Sequence, residues 1–253
     1  MAGNGHPSGW PSVAVAFAAM FAIYQASEGL QTVLAPASPV GPALMLVALL
    51  AAWPLGRSLG WRGYDAFGLE LVPRWWAMLV GGMILAALAK LAAVGLAPIA
   101  GAGVPGPSEP NLAASFIAMA LLTTFVPSVA EDILTRGFLL RAIPVRLGGI
   151  AYVVGSAALY TANHVWRIDW GITEQIRLFC LGLAYGAAAW RWRSLWGAVS
   201  LHWGWNFIAV LGGPAFTLEG GSTDAARLLS GGVHLALLAI VLALPARARS
   251  EAG

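Results

Sequence analysis

The chain is 253 residues long, 59% hydrophobic and only 10% charged, with a mean hydropathy of +0.76. A soluble domain carries about 25% charged residues, so this composition excludes a soluble globular protein, and the length leaves no room for a second folded domain. The net charge of +3 and the pI near 9.4 come from cations scattered through short segments with no basic run, which excludes a nucleic-acid partner and fits the orienting of spans in a lipid bilayer.

The amino-terminal MAGNGHPSGWPS has no lysine or arginine ahead of the first apolar run and so lacks the charged region of a signal peptide, although Ala35-Pro36-Ala37 loosely resembles a cleavage site. The first apolar segment therefore reads as a retained span. Hydropathy and helix breakers predict eight spans, at 13–34, 40–55, 75–97, 112–139, 150–165, 176–190, 195–211 and 225–244. Prolines such as Pro36, Pro39, Pro73, Pro105, Pro110, Pro144 and Pro214 fall between them, and GAGVPGPSEP reads as a loop rather than a linker. The expected fold is all-α, a polytopic transmembrane helical bundle forming one integral-membrane domain over 1–253, with the motif-bearing core at about 112–211. Cys180 is the single cysteine and lies in an apolar stretch, so no disulfide framework and no cysteine-based metal site is expected.

Arginine sets the expected orientation. On the eight-span reading, one side holds Arg57, Arg62, Arg74, Arg141, Arg146, Arg191, Arg193, Arg247 and Arg249, and the other holds Arg167, Arg177 and Arg227. Nine against three places both termini in the cytoplasm by the positive-inside rule. Trp61, Trp75, Trp76, Trp166, Trp170, Trp192 and Trp196 fall near span ends, as an interfacial aromatic belt requires.

Three polar clusters interrupt these apolar segments, and each has helical spacing. Ionisable side chains are costly in hydrocarbon and mark functional sites by default. In span four, Glu131 and Asp132 follow AMALLTTFVPSVA, and Arg136 stands one turn beyond Asp132, placed to pair with it. In span five, Tyr160 precedes His164 by one turn as a candidate hydrogen-bond partner; in span seven, His202 precedes Asn206 by one turn. At 1.5 Å per residue, Glu131 and His164 lie about 15–25 Å from the loop near 144–149, so all three clusters can meet in mid-bilayer. A structural ion pair or a satisfied core histidine explains any one cluster; two histidines and an acid pair on three spans favour a shared site. The remaining polar residues take simpler readings: His234 as packing, Lys90 snorkelling, Gln25, Glu28 and Gln31 at a helix interface, and His6 in the tail.

E-D-x-x-x-R-G at Glu131–Gly137, Y-x-x-x-H at Tyr160–His164 and H-x-x-x-N at His202–Asn206, in this order on separate spans, resemble the motifs of the CPBP intramembrane proteases, the CAAX-protease and bacteriocin-processing family. The stretch GLAYGAAAWRWRSLWGAVSLHWGWN also resembles that family's glycine-spaced helix, short turn and histidine helix. The chain departs from the pattern at Asp132, where a second glutamate is usual, and at Tyr160, where phenylalanine is usual. The resemblance implies an endopeptidase in which Glu131 and His164 activate a water, His202 and Asn206 orient the substrate and stabilise the oxyanion, and Asp132, Arg136 and Tyr160 support them. It implies no cofactor, with zinc held by Glu131, His164 and His202 as the alternative. The implied partner is a membrane-embedded or lipidated peptide substrate, and the implied setting is a prokaryotic cytoplasmic (inner) membrane. Two other classes compete with this reading. One is a non-catalytic peptide binder such as a bacteriocin-immunity factor. The other is a transporter using the same groups as a proton relay, which the lack of an internal repeat disfavours.

Overall fold

The computed structural model describes residues 9–35, 38–107 and 112–246. His6, Pro36, Ala37, Pro110, Arg247 and Arg249 lie outside the described residues. Eight long helices appear where eight spans were expected: α1 (Trp10–Gly29), α2 (Val40–Ser58), α3 (Trp75–Leu96), α4 (Ala114–Asp132), α5 (Gly149–Asn163), α6 (Ile172–Trp192), α7 (Leu195–Gly212) and α8 (Thr223–Ala243). Wider π-helical turns extend α1 through Leu34 and α4 through Ala142.

Five of these are long and apolar enough to cross a membrane: α1 with its extension, α2, α3, α4 with its extension, and α8. With this composition they make the protein an integral membrane protein. The other three, α5, α6 and α7, carry or border the motifs at Tyr160–His164 and His202–Asn206, while the motif at Glu131–Arg136 lies on α4 and its extension. Helix α5 has 15 residues and measures about 22 Å, because the chain leaves the helix at His164 instead of continuing through 165 as expected. Helix α6 begins with Thr173, Glu174, Gln175 and Arg177, and α7 carries His202 and Asn206. The loop expected at GAGVPGPSEP contains one extended pair, Val104–Pro105 (β1), which joins Leu218–Glu219 (β2) in antiparallel register, Val104 opposite Glu219.

Polar contacts sort the connections to two opposite ends. At one end, Arg141 pairs with Glu70, the Leu195 amide donates to the Gly68 carbonyl at 2.8 Å, and Arg191 Nε donates to the Leu244 carbonyl at 2.7 Å. At the other, Arg167 pairs with Glu28 at 3.0 Å, Arg227 with Glu174 at 3.3 Å, and the Ser222 amide donates to the Gly101 carbonyl at 3.0 Å. Consecutive helices therefore alternate in direction.

Small residues set the helix separations, since lipid offers helices no hydrophobic reason to associate and close backbone contact must supply the attraction. Gly182 and Gly186 of α6 seat against Ala157 and Ser156 of α5. Gly82 of α3 seats against Ser200 of α7, and Gly204 of α7 against Met83 and Ala86 of α3. A methyl on Gly182 would stand 2.6 Å from Ala157 Cα, closer than the backbones permit, whereas one on Gly155 of α5 meets nothing within 4 Å. Gly182→Ala is therefore expected to cost about 1–3 kcal/mol, the usual range for overpacking, while Gly155→Ala stays neutral or gains up to about 1 kcal/mol of helix propensity. Thermal unfolding of the two variants in detergent checks this ordering.

Candidate active site

Local backbone features aim the motif residues at one point. Pro127 sits inside α4 one turn ahead of Glu131, and the helix widens to π-helical turns at Ile133, just past Asp132. Such wide turns are frequent at functional sites because they re-aim side chains within an otherwise continuous helix. Helix α5 ends at Asn163, leaving His164 at its C-cap with φ −86° and ψ 50°. Helix α7 starts at Leu195 behind a Ser194 cap, whose side chain accepts from the Trp196 amide, so His202 falls two turns in.

Glu131, buried on α4, is the hub. Its Oε1 lies 3.3 Å from His164 Nε2, and its Oε2 lies 3.5 Å from His202 Nε2. Asn163 Nδ2 donates to Oε1 at 3.3 Å. The far nitrogens of both imidazoles are fixed as well. His164 Nδ1 is 2.8 Å from the Tyr160 carbonyl, and His202 Nδ1 is 3.3 Å from Asp132 Oδ1. A carbonyl and a carboxylate accept, so both rings carry hydrogen on Nδ1 and, when neutral, turn an unshared pair at Nε2 toward Glu131. A carboxylate and two basic nitrogens thus converge on one small volume, an arrangement that can bind a water by its hydrogens and take a proton from it.

Asp132 and Arg136 form the ion pair expected from their spacing, both wholly buried. Arg136 also donates to Thr135 Oγ1 at 3.1 Å, while its Nε and Nη2 have no hydrogen-bond partner among the described residues. Aromatic faces take that place: the guanidinium carbon is 4.5 Å from the Tyr160 ring centroid and 5.3 Å from that of Tyr185. Tyr160 meets His164 edge-on at 4.8 Å. Its contribution to His164 is this ring contact and its main-chain carbonyl, not the side-chain hydrogen bond expected from the sequence.

Asn206 is on the same face of α7 as His202 but one turn away from the cluster, donating through Nδ2 to Ser128 Oγ at 3.2 Å. The pairs 128–206 and 132–202 are the rungs of an antiparallel α4–α7 contact, so Asn206 borders the carboxylate site without touching Glu131 in any recorded contact.

Asn163 and Tyr185 escaped the sequence reading, which places Gln25 and Glu28 only at a helix interface. Asn163 bonds Glu131, and Gln25 of α1 donates through Nε2 to both the Asn163 carbonyl (2.7 Å) and Asn163 Oδ1 (2.9 Å). Glu28, one turn beyond Gln25, pairs with Arg167 immediately after the His164 break. The signal was present: Glu28 is an ionisable residue at the end of an apolar span, the criterion that singled out Glu131. Tyr185 stacks on His202 at 5.2 Å and hydrogen-bonds His234 Nε2 at 3.0 Å, so His234 is a bonded core residue and not mere packing. Lys90 lies over the Trp205 ring at 4.7 Å.

Among the described residues, no group of three His, Cys, Asp or Glu side chains has the geometry to hold a metal ion. Each imidazole faces a separate oxygen of Glu131.

Residues 113–208 match the family model described as Rce1-like, type II CAAX prenyl endopeptidase. No curated protein and no solved structure matches the chain. The matched segment contains α4, α5, α6 and most of α7, with Glu131, His164, His202 and Asn206 among its residues. This segment, set in a helical membrane bundle, is thus similar to the peptidase domain of the Rce1-like CAAX-protease family.

Proposed function

We propose that this protein is an intramembrane endopeptidase in which Glu131 is the general base for a water that attacks a peptide carbonyl. The observation carrying the reading is the placement of Glu131 between the Nε2 atoms of His164 and His202, at 3.3 and 3.5 Å. A general base working on water must share that water with its partners, and these distances put Glu131 and each imidazole within reach of one shared water. Glu131 takes one proton as the water attacks and passes it to the leaving amine, while His164, fixed by its Nδ1 bond to the helix end, accepts a hydrogen bond from the water's other hydrogen. His202, held through Nδ1 by Asp132, faces the oxyanion with Nε2 and donates to it once that nitrogen has taken up a proton. Asn206, released from Ser128, supplies the second oxyanion donor. Asp132 and Arg136 hold His202 and α4 in register, and Tyr160 covers the guanidinium. The substrate is a lipid-anchored or membrane-embedded peptide, and the similarity of residues 113–208 to prenyl endopeptidases favours a prenylated one. The reaction needs no metal in this reading. The setting is a prokaryotic inner membrane, with the end bearing Arg57, Arg141 and Arg191 and both termini in the cytoplasm.

Mutation, chelation and reporter fusion test the reading. Replacing Glu131, His164 or His202 with alanine is expected to abolish cleavage of a prenylated peptide, and Glu131→Gln to do the same while retaining shape. Asn206→Ala is expected to keep activity reduced about 10²–10³-fold, the usual loss of one oxyanion donor. Asp132→Asn is expected to be milder than Glu131→Gln. A Glu131→Gln protein that cleaves normally removes the mechanism, and one that retains a cellular phenotype without cleavage identifies a binder. Exhaustive chelation is expected to leave activity intact; loss on chelation with recovery on added Zn²⁺ assigns Glu131, His164 and His202 to zinc instead. For orientation, a cytoplasmic reporter fused at the carboxyl terminus is expected to be active and a periplasmic one silent; the reverse pattern inverts the topology.

A further inference from the structure

We infer that Gln25 of the first span and Asn163 form a positioning relay that sets the orientation of the Glu131 carboxylate; the inference rests on the proposed role of Glu131 as base. The hydrogen-bond directions are self-determining. A main-chain carbonyl only accepts, so the 2.7 Å contact to the Asn163 carbonyl identifies the Gln25 atom as the amide nitrogen, a donor. That same nitrogen lies 2.9 Å from the Asn163 side chain, which must therefore present its oxygen to Gln25. Asn163 is left with its Nδ2 facing Glu131 Oε1 at 3.3 Å, on the oxygen that also faces His164. Both amides are buried, which strengthens both bonds. The relay fixes Oε1 and leaves Oε2 to the His202 side. It also gives α1, which lies outside the matched peptidase segment, a direct role in the site.

Asn163 and Gln25 reach the reacting water only through Glu131, so they are positioning residues. Asn163→Leu and Gln25→Leu in the full-length, detergent-solubilised protein are expected to lower kcat about 10–100-fold on a farnesylated CAAX peptide, with KM within about twofold. The double variant is expected to be no worse than Asn163→Leu alone, since the two act in series. Gln31→Leu is the control: Gln31 is on the extension of α1 and bonds only Ser27 among the recorded contacts, so kcat is expected to be unchanged. A second readout does not depend on turnover. Infrared carboxyl bands assigned to Glu131 by their loss in Glu131→Gln are expected to shift in Asn163→Leu and Gln25→Leu and to stay in place in Gln31→Leu. Bands that do not move, or single-variant losses that add in the double variant, overturn the relay and leave the base assignment standing. Normal cleavage by Glu131→Gln overturns the base assignment, and the inference falls with it.

Discussion

Hydrocarbon supplies no hydrogen bonds, and an unpaired charge taken from water into it costs several kcal/mol even after relaxation. The burial of Glu131 is the constraint around which the catalytic half of the molecule is arranged. Its carboxylate is answered by an amide and two imidazoles, contributed by α5, the residue after it, and α7. Each of those partners is answered in turn: Asn163 by Gln25, His164 by the Tyr160 carbonyl, His202 by Asp132, and Asp132 by Arg136. The same exclusion of water that makes a lone carboxylate unaffordable strengthens every one of these contacts. A preorganised polar cluster of this kind is what the proposed role of Glu131 requires.

Arg136 closes that chain with a different kind of contact. A guanidinium carries five N–H groups, and Asp132 and Thr135 engage only one nitrogen. The rings of Tyr160 and Tyr185 cover the remainder, and weakly hydrated guanidinium is the cation best suited to that. Tyr185 also stacks on His202 and bonds His234 of α8. One ring thus links α6, α7, α8 and the α4 extension. It reaches them because Gly182 and Gly186, on either side of it in sequence, let α6 lie directly against α5. The glycine spacing and the electrostatics of the site are parts of one packing arrangement.

The helices were legible in the sequence because apolar runs and breakers are local signals. All eight appear, and the Asp132–Arg136 pair and the shared face of His202 and Asn206 follow from the period of the helix alone. What was not legible depended on where a helix stops. Nothing in LYTANHVW breaks a helix by composition, with neither glycine nor proline present, so a continuous span through 165 was the natural reading. The break at His164 is a tertiary effect, and with it went the roles of Asn163, Gln25, Glu28 and Arg167. The hydrogen bond expected between Tyr160 and His164 is made by the Tyr160 carbonyl for the same reason, while the two rings stay in contact.

That break also explains how a 15-residue helix suffices. A helix that ends inside a membrane protein exposes carbonyls with no intrahelical donor, and these must be capped from elsewhere. Here the Tyr160 carbonyl accepts from the His164 ring, the Asn163 carbonyl from Gln25, and the His164 carbonyl from the Arg167 amide at 3.0 Å. Two of the three donors are side chains of the site. The hydrogen bond that caps Tyr160 is the one that assigns the His164 tautomer, and the bond that caps Asn163 comes from the amide that orients its side chain. Terminating α5 and orienting the groups around Glu131 are therefore accomplished by the same bonds. A helix that continued past His164 would satisfy its own carbonyls, and it would leave both the imidazole and the amide free to turn away from the carboxylate.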